Sequence, residues 1–75
     1  MNIVIHTETN NPFCGMAKQW LDINNYTYKE VAYDNPDDLQ GFYESLGETV
    51  NTLPQFFIDG AHIGGFDQLL RSDLV

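Results

Sequence analysis

The chain has 75 residues, 43% apolar and 13% aromatic, and sets three Lys and Arg against eleven Asp and Glu for a formal charge of -8. This length makes a single domain over residues 1–75 with a thin core, burying about 60% of the surface its unfolded chain exposes, and the apolar content argues against disorder. The acidic field excludes nucleic acid as a partner, no run reaches the ~20 apolar residues of a bilayer span, and the chain opens on Asn2-Ile3-Val4-Ile5 without a basic, cleavable leader; a cytoplasmic monomer is expected.

Ile3-Val4-Ile5 reads as a first strand in the middle of a sheet, covered on both faces. Thr7 to Asn11 is polar and turn-like; Asn11 reads as an N-cap and Pro12 as the first helical position. Phe13, Met16, Ala17, Trp20 and Leu21 recur at three- and four-residue spacing as one apolar face, and Asn24-Asn25 ends the first helix. Tyr26 to Tyr33, aromatic and β-branched, has the length of a second strand. Asn35-Pro36-Asp37-Asp38 repeats the helix-start signal, Leu39, Phe42, Tyr43 and Leu46 form its stripe, and Gly47 stops it. Phe56-Phe57-Ile58, the turn Asp59-Gly60 and Ala61-His62-Ile63 make a hairpin. Gly64-Gly65 then breaks the strand, and Asp67, Leu69, Leu70 and Leu74 suit a last helix. The order β-α-β-α-β-β-α predicts an α/β fold with a mixed four-stranded sheet and three helices, its first crossover right-handed and parallel and its last pair antiparallel.

Cys14 is the only cysteine, so no internal disulfide can form. His6 at a strand end and His62 beside the hairpin turn have no paired ligand spacing, and no metal site is expected. Tyr26, Tyr28, Tyr33, Phe42 and Tyr43 read as core and core rim.

Three separated segments carry a resemblance that spans nearly the whole chain. Asn11-Pro12-Phe13-Cys14 with Ala17-Lys18 resembles the Cys-Pro-aromatic-Cys site and following helix of glutaredoxins, Thr52-Leu53-Pro54-Gln55 resembles their Thr-Val-Pro loop, and Ile63-Gly64-Gly65-Phe66-Asp67 resembles their Ile-Gly-Gly-x-Asp turn. In length it resembles the compact forms found in phages. The resemblance implies a thioredoxin-like fold, thiol-disulfide exchange with glutathione as co-substrate and no metal, and a glutathione or protein-disulfide substrate held by Phe13, Thr52, Leu53, Pro54, Gly65, Phe66 and Asp67. It also implies a cis Leu53-Pro54 bond that turns the Leu53 N–H and C=O toward the first helix, where they pair with the cysteinyl part of the ligand, and an Asp67 that meets the γ-glutamyl amino group.

Two positions depart from the family pattern. Asn11 occupies the place of the attacking cysteine, where a thiolate would be stabilised by the helix N-terminus, and an amide has no redox couple. Cys14 holds the place of the resolving cysteine, either as an inert packed residue or as a usable single thiol. Glu8 stands where the family commonly carries a lysine; it is either a carboxylate that repels the tripeptide and raises a nearby thiol pKa or a screened loop acid, and Lys18 is a candidate substitute. The expected function is an atypical thiol-disulfide oxidoreductase limited to Cys14. The alternatives are a redox-silent glutathione- or peptide-binding module, or a variant of an active glutaredoxin in which the attacking cysteine was replaced. An iron-sulfur cluster bridging two chains would need the cysteine missing at residue 11.

Overall fold

The computed structural model describes residues 1–47 and 51–72. Strand β1 (Ile3–Glu8) leads into helix α1 (Pro12–Ile23), followed by β2 (Lys29–Tyr33), α2 (Pro36–Ser45), β3 (Gln55–Ile58), β4 (Ala61–Gly64) and α3 (Phe66–Arg71). The sheet order is β2-β1-β3-β4, with β1 parallel to β2, antiparallel to β3, and β3 antiparallel to β4. This is the mixed four-stranded sheet with three helices that the element order predicts.

Alternation along β1 separates two faces. Ile3, Ile5 and Thr7 are buried while Val4, His6 and Glu8 are half-buried. Ile3 and Ile5 pack with Phe56 against Ala17 and Leu21 of α1 and Leu69 of α3, all nearly inaccessible. Each such aliphatic or aromatic side chain contributes about 1.5–3 kcal/mol by leaving water. On the opposite face His6 stacks on Phe42 of α2, with ring centroids 4.2 Å apart, and meets the edge of Phe57 at 5.3 Å.

Local signals account for most of the element ends. Asn11 and Asn35 cap α1 and α2, each followed by proline, and Gly47 takes a positive φ of 67° just beyond α2. Asp59 and Gly60 both have positive φ, 51° and 85°, the conformation a two-residue hairpin turn requires.

Several boundaries differ from the sequence reading. β1 continues through Thr7 and Glu8, because both residues pair with β2, opposite Ala32 and Tyr33; His6 is therefore inside the strand and not at its end. β2 starts only at Lys29; the Tyr26 amide instead donates to the Leu21 carbonyl at 2.9 Å, and the Tyr26 ring stacks on Trp20, so its bulk serves the end of α1. β4 includes Gly64, whose φ of 121° belongs to glycine, and Gly65 is the N-cap of α3. On α1 the buried stripe is Cys14, Ala17 and Leu21, whereas Phe13 and Met16 are 61% and 54% exposed. The apolar arc is wider than one packing stripe, and its outer row does not enter the core. Leu74, expected on the last helix, lies outside the described residues.

Burial, and then the charge of His62, lowers the pKa of His6. Its Nδ1 also lies 3.0 Å from the Tyr33 hydroxyl. The unfolded chain therefore binds a proton that the folded chain resists, so this contribution is present above the ordinary histidine pKa of about 6.5 and is lost as pH falls through the lower folded value. Urea midpoints of wild type and His6→Phe measured from about pH 7 down to about pH 5 should show a steeper loss for wild type; parallel curves would contradict the burial of a neutral imidazole.

Candidate functional site

Antiparallel pairing of β1 with β3 sets His6 opposite Gln55, so the loop that leaves β1 and the loop that enters β3 are neighbours. The first carries Asn11 and the start of α1. The second carries Leu53-Pro54, whose peptide bond is cis.

A groove of about 480 Å³ runs along this junction. Its lining includes Phe13, Thr52, Leu53, Pro54, Gly65, Phe66 and Asp67, so every residue the sequence singled out for substrate docking faces one space. Met16, Gln68 and Leu70 complete the wall. No motif marks these three for the groove: the spacing puts Met16 on the apolar face of α1 and Leu70 on the last helix, and nothing singles out Gln68. Exposed Met16 and Phe13 on the outer row of α1 join Leu53, Pro54, Phe66 and Leu70 in an apolar groove wall.

Asn11, the α1 cap, bridges the two loops through bonds to Phe13 and Leu53, both of which line this groove. Its Oδ1 accepts from the backbone N–H of Phe13 at 2.9 Å and of Cys14 at 3.4 Å, which is the helix cap. Its Nδ2 donates to the Leu53 carbonyl and to Glu8 Oε1, both at 3.1 Å. Exchanging oxygen and nitrogen would set acceptor against acceptor on one side and donor against donor on the other, so the partners fix the orientation of the amide.

Cys14 is brought close in sequence but not into the groove. It is 2% exposed and lines a separate cavity of about 560 Å³ with Thr7, Glu8, Asn11, Lys18 and Glu30. Lys18 is held there by an ion pair with Glu30 at 3.0 Å, and the same Glu30 oxygen accepts from the Thr7 hydroxyl at 2.6 Å. Its ammonium is thus paired beside Cys14, and neither Lys18 nor Glu8 lines the groove. His6 and His62 are engaged elsewhere, His62 Nε2 pairing with Gln55 Oε1 at 2.7 Å. Among the described residues no group of three or more His, Cys, Asp or Glu is placed to hold a metal ion.

The glutaredoxin family model matches residues 3–63. This chain is a member of the glutaredoxin family. Glutaredoxin 1 of Rickettsia typhi is 39% identical over 71 residues, covering 92% of this chain and 67% of the relative. Among solved structures, Glutaredoxin 1 from Francisella tularensis, complexed with cacodylate, superposes with a TM-score of 0.85 at 34% identity, over 93% of this chain and 88% of that one. A buckwheat glutaredoxin-glutathione complex has a TM-score of 0.75 at 26% identity, over 92% of this chain and 64% of that one. Family and fold are thus those of thioredoxin-like glutaredoxins, and the family supports a thiol-disulfide oxidoreductase-like function.

In this glutaredoxin the environment of the single thiol opposes ionisation. Burial pushes the Cys14 pKa up, a backbone hydrogen bond from Glu8 pulls it back, the Glu8 carboxylate raises it again, and the charges of Lys18 and Glu30 act in opposite directions. Desolvation is the largest of these effects. No helix of the described residues is long and apolar enough to cross a membrane.

Alkylation of Cys14 by iodoacetamide, followed by mass spectrometry, should be much slower at about pH 7 than for the unfolded chain and should keep climbing past the ordinary thiol pKa of about 8.5, where the rate of the unfolded chain levels off. Glu8→Gln removes a charge that disfavours the thiolate and should move this rise toward lower pH. A fast rate that is already flat at neutral pH would show an ionised thiol and contradict the assignment.

Proposed function

We propose that this glutaredoxin docks glutathione, or the glutathionyl part of a disulfide substrate, in the groove between Phe13 and the Leu53-Pro54 loop, and that its thiol-disulfide exchange is confined to Cys14 and slow. The observation that carries this is the convergence of Phe13, Thr52, Leu53, Pro54, Gly65, Phe66 and Asp67 on one groove of about 480 Å³. Such a volume lies in the range that holds small ligands. The glutathione in the buckwheat complex, a protein of the same fold, supports the same ligand class here.

The exchange is that of a single thiol. The Cys14 thiolate attacks the glutathione sulfur of a mixed disulfide, forming a bond from Cys14 to glutathione and releasing the substrate thiolate, which takes a proton from solvent. A second glutathione, as thiolate, attacks that bond, leaves as oxidised glutathione and returns the Cys14 thiolate. Asn11 takes no part in electron transfer, since its amide forms no disulfide. The protein acts as a monomer on small or protein disulfides, without a metal.

A second reading, a redox-silent docking module, is favoured by the 2% exposure of Cys14 and by its position in a cavity apart from the groove. Turnover of a mixed glutathione disulfide by wild type, Cys14→Ser and Asn11→Cys separates the readings. Exchange through Cys14 predicts a weak wild-type rate that grows with pH and disappears in Cys14→Ser; equal rates would leave only the docking module. Asn11→Cys places a thiol at the helix N-terminus, where ionisation alone is worth up to about 30-fold at pH 7 over an unperturbed thiol. Absence of any gain in that variant would overturn the groove as a glutathione site.

A further inference from the structure

We infer that Asn11 acts as a built-in competitor for the Leu53 carbonyl, so that a ligand pairing with both backbone groups of Leu53 has to displace the Asn11 amide and docks more weakly for it; this rests on the docking reading above. An extended ligand laid beside one residue of a strand or loop pairs with both its N–H and its C=O. In this chain the two groups of Leu53 are not equivalent. The carbonyl accepts from Asn11 Nδ2 at 3.1 Å, whereas the Leu53 N–H donates to no acceptor among the described residues.

The competing amide is held firmly. Nδ2 has a second acceptor in Glu8 Oε1, and Oδ1 is fixed by the N–H groups of Phe13 and Cys14. Swinging the amide away from Leu53 would cost the helix cap as well as the Glu8 bond. A cysteine side chain offers one weak S–H donor and could not make this set of bonds. The asparagine therefore adds an interaction besides removing a nucleophile: it occupies the carbonyl that a ligand amide would use. Leu53 is 42 residues away in sequence, and the bond forms only because the β1-β3 pairing brings the two loops together. Asn11 is in this sense a specificity-determining residue that weakens docking while capping α1.

The test is an NMR titration of the isotope-labelled full chain and of Asn11→Ser with reduced glutathione. Serine is as good an N-cap as asparagine, but its hydroxyl ends one bond beyond Cβ and does not reach the Leu53 carbonyl. In wild type the side-chain amide of Asn11 should shift together with the Leu53 and Gly65 backbone amides at one common Kd, as the ligand displaces Nδ2. Asn11→Ser should bind about two- to tenfold more tightly, the worth of one recovered hydrogen bond. An Asn11 side-chain signal that stays fixed while Leu53 shifts, or a serine variant that binds no tighter, would overturn the inference. If the serine variant does not fold, the wild-type side-chain response decides alone. Glutathione that shifts none of these signals in either protein would remove the docking reading itself, and the inference with it.

Discussion

Everything at the site depends on the central position of β1 and its antiparallel pairing with β3. The register sets His6 opposite Gln55, which puts Asn11 five positions beyond one and Pro54 one position before the other. Burial of Ile3, Ile5 and Phe56 between α1 and α3 holds that register, because a one-residue slip would turn these side chains to the opposite face. The groove is therefore a product of sheet topology. Its walls come from a helix start, a loop before a strand and a turn before a short helix, each on a separate part of the chain.

Within that frame α1 divides its apolar residues between two tasks. Cys14, Ala17 and Leu21 face the core, and Phe13 and Met16, one position earlier on the wheel, face the groove. The same rotation places the thiol and the groove wall on different sides of the helix. In a relative with cysteine at the position of Asn11, sulfur would stand at the helix cap beside Leu53; here the cap carries an amide, and the remaining sulfur is buried beside Glu8 and Glu30. The groove and the chain's single thiol therefore lie in different cavities.

The sequence made much of this legible. Caps at Asn11 and Asn35, prolines after them, the Asp59-Gly60 turn and the order of elements are local signals, and the structure follows them. The groove residues were legible as a set only through three short motifs in family order. Other features were hidden for physical reasons. Thr7 and Glu8 look like loop residues because one edge of a strand may carry polar side chains, and only the pairing with Ala32 and Tyr33 identifies them as strand. Tyr26 looks like a strand residue because aromatic bulk suits both a sheet and the packing of a helix end. Periodicity locates an apolar arc on α1 but does not say which part of it meets the sheet. The bond from Asn11 to Leu53 has no local signature at all, since its partner is a backbone carbonyl in another loop.

The central claim is that the groove between the start of α1 and the Leu53-Pro54 loop is a glutathione site whose nucleophile has been replaced by an amide. A crystal structure of the protein grown with reduced glutathione tests it most directly. The account predicts the tripeptide lying between Phe13 and Leu53-Pro54, with its γ-glutamyl end at Gly65 to Asp67 and its sulfur near Asn11 without a covalent bond to the protein. Glutathione seated instead in the cavity of Cys14, or bound away from both loops, would contradict it.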